Sequence, residues 1–385
     1  MEAIYLDYNA TSPIAPEVYH AMIPYLTTDY GNPSNSYTLG YHAKKAITNA
    51  REKVAALIGS QSDEILFTGC GSESNNMVIK GVAYTYKNKG THIISTKIEH
   101  PSVLEPLRYL EKNGYEVSYV GVDFSGRVNP EDIRKLLRPD TILVSVMHSN
   151  NEVGTLQPIK EIGTLCKKSD ILFHCDALQS IGKVPLDVKE LNVDFLTITG
   201  HKLYAPKGIG ALYMRQGIII ESLIHGASQE NSYRAGTENV PHIVALGRAA
   251  ELAQELLQTS HLKDIKDYFF SKLIGISGDN IHLNGDYENS LPNTLNISFI
   301  GKVGSEILTG VPQINASTGS ACHSGSKTIS PVLAAMGVNP DIALGAIRFS
   351  VGKYTTKEDI NKAINYLEKY IREKKMSMKK IGLDV

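Results

Sequence analysis

The stretch TITGHKLYAPKGIGALY, residues 197–213, holds the decisive punctuation of the chain. It closes one apolar, β-rich run, DFLTIT (194–199), and opens another, IGALYM (209–214). The step from residue 199 to residue 209 is too short for a helical crossover, so one of these two strands runs antiparallel. Between them stand His201 and Lys202. Lysine is among the residues least often fully buried, so one beside aliphatic neighbours at a strand end needs a reason. It either caps the strand and faces solvent, or is desolvated so that its amine can form a Schiff base. The rest of the chain decides.

Working outward, further β-rich runs are EILFT (64–68), HIIST (92–96), EVSYV (116–120), TILVSV (141–146) and ILFHC (171–175). Amphipathic segments such as 101–113 and 158–168 lie between them. Strands alternating with helices predict an α/β fold, with a doubly wound, mostly parallel seven-stranded sheet covered on both faces. After residue 240 the pattern changes. Helices are expected over 240–258, near 261–275, near 303–309 and over 356–375, with strands in NTLNISFI (293–300) and GAIRFSV (345–351). That mixture predicts a smaller α+β domain. The expected division is a large domain over 15–257 and a small one from 1–14 and 258–385. The basic tail REKKMSMKKIGLDV (372–385) is expected to fray.

At 385 residues, with 42% hydrophobic and 21% charged residues, the composition is that of a globular protein of two domains, neither disordered nor fibrous. The net charge of −1 gives no electrostatic case for direct contact with nucleic acid or an anionic membrane. No run approaches the roughly 20 apolar residues of a membrane-spanning helix. The start, MEAIYLDYNATSPIAPEV, has neither the basic nor the apolar region of a signal peptide. Cys70, Cys166, Cys175 and Cys322 show no CxxC spacing. This argues against a metal site or a disulfide framework and points to a reducing, cytoplasmic setting.

In an open α/β sheet, ligands bind outside the carboxyl ends of the strands. The polar residues expected there form a series. GCGSESNN (69–76) is a glycine-hydroxyl turn opening a helix, which offers N–H groups and the Ser72 hydroxyl to a phosphate. His100 follows the second strand, Asn150 and Asn151 the fourth, Asp176 and Gln179 the fifth, and His201 and Lys202 the sixth. Each has an ordinary structural explanation alone, as a cap or a turn. Together, a lysine, an aspartate and a phosphate turn on one edge fit pyridoxal 5'-phosphate.

Motifs along nearly the whole chain then carry a resemblance. They are LDYNAT (6–11), GNPSNSY (31–37), GSESNN (71–76), EHPSV (99–103), HSNNEVG (148–154), HCDALQS (174–180), TGHKLYAPKGIGALY (199–213), RAGTENV (234–240), TGSACHSG (318–325) and IRFSVG (347–352). In these the chain resembles the fold-type I, class V aminotransferase-like enzymes, and among them the cysteine desulfurases of the iron–sulfur type. Selenocysteine lyases are similar in the same motifs, and fold-type I aminotransferases more distantly. The resemblance implies that Lys202 bonds the cofactor and moves the α-proton. Asp176 would pair with the ring nitrogen, Gln179 with the ring hydroxyl, and His100 would stack on the ring. Gly71, Ser72, Thr199 and His201 would hold the phosphate. Thr237 would reach the phosphate of the neighbouring subunit in a homodimer. Asn151 and Arg348 would grip the carboxylate of L-cysteine, a guanidinium fork suiting two oxygens. Cys70, where many members have glycine, reads as filler.

Cys322 lies in NASTGSACHSGSKTISP (315–331), rich in Gly, Ser and Thr and without apolar periodicity. It reads as a loop, where reactive residues are common. The resemblance makes it the catalytic thiol of the small domain, which takes the substrate sulfur as a persulfide and leaves L-alanine. The sulfur would then pass to an acceptor protein, either an iron–sulfur assembly scaffold or an enzyme of nucleic-acid thio-modification.

Overall fold

A computed structural model describes residues 3–319 and 329–380. In chain order its strands are β1 (Ile4–Tyr5), β2 (Ile65–Thr68), β3 (His92–Thr96), β4 (Glu116–Val120), β5 (Thr141–Ser145), β6 (Leu172–Asp176), β7 (Phe195–Thr199) and β8 (Gly210–Met214). Then come β9 (Ile281–Leu283), β10 (Thr294–Phe299), β11 (Ile314–Asn315) and β12 (Ala346–Ser350).

The main sheet has seven strands in the order β2-β8-β7-β6-β5-β3-β4. Strand β8 runs against both β7 and β2, and the other pairings are parallel. The short turn after residue 199 is the physical reason, since it can only reverse the chain. With β8 reversed, β2 points the same way as β7. The carboxyl ends of β2, β3, β5, β6 and β7 therefore open on one edge.

Both faces of this sheet are covered, which is why its strands are almost continuously apolar. On β7, Leu196 and Ile198 enter one core and Phe195 enters the other, the period of two expected of a strand. The first core is closed by helices α1 (Pro16–Thr27) and α2 (Thr38–Leu57), together with the helix Val240–Leu257. The second is closed by α3 (Gly71–Thr85) and α4 (Pro101–Glu111).

A separate core gathers Leu6, Phe269, Ile297, Phe299, Phe349, Ile360 and Leu367. It lies under the antiparallel sheet β12-β10-β9. The N-terminal segment serves both bodies: β1 pairs with β11 and Leu6 enters this core, whereas Ala15 and Val18 join the first. Residues 381–385 of the tail expected to fray lie outside the described residues. The last helix, Lys357–Lys380, continues well into it.

Candidate active site

The carboxyl edge of the main sheet opens into a cavity of about 360 Å³, and β2, β3, β5, β6 and β7 each deliver a residue to its wall. After β2, Cys70 caps α3 by accepting the Glu73 amide on its Sγ at 3.4 Å. The filler reading of Cys70 is thereby corrected, because its sulfur satisfies one of the orphan donors of the helix start. Gly71 and Ser72 form the first turn and line the cavity. A Cβ on Gly71 would run into the Leu178 side chain, so glycine lets the helix begin this close to the loop after β6.

After β3, His100 caps α4, with Pro101 at the first helical position. Its Nδ1 accepts the Ser102 amide at 3.1 Å, so the ring is held by its capping role while it lines the cavity. Burial lowers its pKa, opposed by the Asp176 charge and reinforced by Lys202. After β5, Asn150 Oδ1 accepts the amides of Glu152 and Val153 at 2.8 and 3.1 Å. That turn places Asn151 on the cavity wall.

Asp176 ends β6 and is buried. Its Oδ2 accepts from Asn75 Nδ2 at 2.9 Å and its Oδ1 from the Leu178 amide at 3.0 Å. Thr199 ends β7, and its buried Oγ1 has no partner among the described residues. Such a group calls for an explanation, and a phosphate oxygen would supply one. His201 Nδ1 lies 3.2 Å from Thr11 Oγ1, and burial holds its imidazole down at about 4. Burial likewise brings the Lys202 amine down to about 8, opposed by Asp176 and reinforced by Arg348.

Arg348 comes from β12 of the smaller sheet. Its Nη2 pairs with Asp7 Oδ1 at 2.7 Å, and its Nη1 donates to the Asn151 carbonyl at 3.0 Å. Its Nε is buried without a partner among the described residues. A buried amine near neutrality, a fixed carboxylate, a helix start and a partnerless hydroxyl fit pyridoxal phosphate. The guanidinium adds a place for a carboxylate.

The class-V aminotransferase family profile matches residues 4–363. The chain belongs to this family. A cysteine desulfurase IscS of Dictyoglomus turgidum is 50% identical over 374 residues, spanning 96% of this chain and 95% of that protein. A solved structure named NifS-like protein superposes with a TM-score of 0.90 at 40% identity, covering 96% of this chain and 99% of the other. Another, SspA in complex with cysteine, gives 0.81 at 36% identity, over 91% and 99%. Within the class-V family the chain falls among the cysteine desulfurases, which depend on pyridoxal phosphate.

In this class-V protein the cavity brings together Gly71, Ser72, His100, Asn151 and Asp176 from one set of expected site residues. Gln179, Thr199, His201, Lys202 and Arg348 join them. Thr237 is not among them. It is exposed in the loop before the helix Val240–Leu257. Cys322 lies outside the described residues.

Sequence reasoning missed Asp7, Asn9 and Glu99. The first two sit in LDYNAT, a motif noted without any role for its polar side chains. Glu99 precedes His100. Its Oε1 accepts from Thr96 Oγ1 at 2.8 Å and from the Met147 amide at 2.9 Å, while Oε2 is buried without a partner among the described residues. Burial raises its pKa to about 8.

Proposed function

We propose that the protein is a pyridoxal-phosphate-dependent cysteine desulfurase that turns L-cysteine into L-alanine and carries the sulfur on Cys322 to an acceptor protein. The observation that carries this reading is a single cavity holding the Lys202 amine, the fixed Asp176 carboxylate, the Thr199 hydroxyl, partnerless among the described residues, and Arg348. The related desulfurase and the cysteine complex of SspA support the choice of substrate.

Pyridoxal phosphate bound there supplies a ring that withdraws electrons from the substrate carbons and so weakens the carbon–sulfur bond. The chain's own residues do the rest. Gly71, Ser72, Thr199 and His201 hold the phosphate, with the α3 dipole behind them. Asp176 offers its carboxylate to the ring nitrogen. Arg348 and Asn151 bind the substrate carboxylate, and Asp7 keeps the guanidinium in place. Lys202, whose amine burial brings down to about 8, takes the α-proton and returns it. The Cys322 thiolate attacks the substrate sulfur. A sulfur–sulfur bond forms, the carbon–sulfur pair stays on carbon, and that carbon takes up a proton.

The reading extends to a homodimer in which Thr237 serves the neighbouring site, a cytoplasmic setting, and large and small domains over 15–257 and 1–14 with 258–385. The acceptor is a scaffold for iron–sulfur assembly or an enzyme of nucleic-acid thio-modification. Among the described residues no helix is long and apolar enough to cross a membrane.

The test is Cys322→Ser, since a hydroxyl is a poor sulfur acceptor at neutral pH. The variant is expected to keep the visible absorption of the bound cofactor while releasing no alanine from cysteine and accumulating no persulfide. Undiminished alanine from cysteine would sink the mechanism. Loss with cysteine but full turnover of selenocysteine would favour a lyase.

A further inference from the structure

A lysine outside the proposed mechanism stands behind the cofactor residues. Lys183 Nζ donates to Gln179 Oε1 and to Asn9 Oδ1, both at 3.1 Å. Gln179 Nε2 donates to the Asn9 carbonyl at 3.0 Å. The orientation of Asn9 is settled by its other contacts. Its Oδ1 also accepts from Asn293 Nδ2 at 3.1 Å, and its Nδ2 donates to Thr294 Oγ1 at 2.8 Å. With an amine facing its oxygen, the Gln179 amide cannot turn over without setting a donor against a donor. The NH₂ end is therefore the fixed one. It has two N–H bonds, one spent on Asn9, and Gln179 lines the cavity.

We infer that Lys183 is a positioning residue, which locks the Gln179 amide so that an N–H and not a carbonyl oxygen faces the phenolic oxygen of the bound cofactor. The inference rests on the cofactor reading above. Burial pulls the Lys183 amine well below its ordinary value, with Lys202 and Arg348 adding to the effect. The amine donates to both acceptors that face it. An N–H aimed at the phenolic oxygen stabilises its ionised form and eases loss of the nearby proton. An amide oxygen in its place would repel it.

The readout is the pH titration of the visible absorption band of the holoenzyme, which does not require turnover. The titrating Lys202 is faced by Asp176, Arg348, His100, His201 and Lys183. Asp7 stands behind Arg348 and Glu99 near Asp176. Lys183→Met is expected to raise the midpoint by about half a unit to one unit, the size of one hydrogen bond. Gln179→Leu should raise it similarly, and the double variant no further. Additive shifts would mean that the amine acts directly through its charge on Lys202, and an unmoved midpoint would mean that it does not act on the site. Either overturns the inference while leaving the cofactor reading intact. A wild-type protein that shows no visible band removes the cofactor reading itself. Should Lys183→Met fail to fold, Lys183→Gln is read in its place: its NH₂ can still donate to Gln179 Oε1, so an unmoved midpoint is expected, and an upward shift would mean that the amine acts through its charge, which overturns the inference.

Discussion

Glu99 and Lys202 both feel the Asp176 charge, and burial pushes both toward their neutral forms. Their effects on stability have opposite signs. Glu99, raised from 4.5 to about 8, keeps in the fold a proton that the unfolded chain releases. Its contribution is therefore full below 4.5 and is lost as pH rises to about 8. Lys202, lowered from 10.5 to about 8, releases in the fold a proton that the unfolded chain keeps. Its penalty is full below about 8 and is relieved as pH rises toward 10.5. Glu99→Gln keeps an acceptor for Thr96 and Met147 but cannot ionise. In urea unfolding, wild type should lose on the order of 1–3 kcal/mol more than this variant between about pH 5 and about pH 8. Equal losses would mean that Glu99 is already charged in the fold. Lys202 was legible in the sequence because a lysine at a strand end is out of place. Glu99 was not, because only the packing around it removes water.

The start of α3 shows how one element places a ligand site. Gly71 stands where a side chain would strike Leu178, whose own amide is bonded to Asp176. Gly71→Ala must displace the Leu178 side chain, which lines the cavity beside the helix start. Overpacking of this kind costs about 1–3 kcal/mol, so the apo protein should bind pyridoxal phosphate at least about fivefold more weakly. Absorbance titration measures this, and an unchanged affinity would place the phosphate elsewhere. Elements with a clear period were readable in advance. The runs 92–96 and 116–120 are β3 and β4 without adjustment. Strands β1, β9 and β11 were missed, since two or three residues hold no period to detect. They exist because neighbours distant in the chain offer them a pairing edge.

Across the whole molecule, the site is assembled from three parts of the fold. Asp7 and Asn9 come from the N-terminal segment, the sheet edge supplies Lys202 and Asp176, and Arg348 comes from β12. Thr237 points to a further level, because its own chain's cavity does not include it. If it completes a partner's site, Thr237→Ala and Lys202→Ala chains should each be inactive or weak alone. Mixed dimers would then hold one intact site, with Lys202 from one chain and Thr237 from the other. Recovery of alanine formation on mixing is the expected result, and none would return if Thr237 acted within its own chain. The periodicity of the sequence, its strand-end residues and its short reversal after residue 199 determined the sheet, its open edge and the cofactor chemistry. Those are local properties, set by the 2.0 and 3.6 residue periods and by the reach of a turn. Only the tertiary structure decided that Asp7 would restrain Arg348, that Asn9 would meet both Lys183 and Gln179, and that Glu99 would keep its proton. Each depends on residues far apart in sequence excluding water together, and desolvation is a property of the assembled fold.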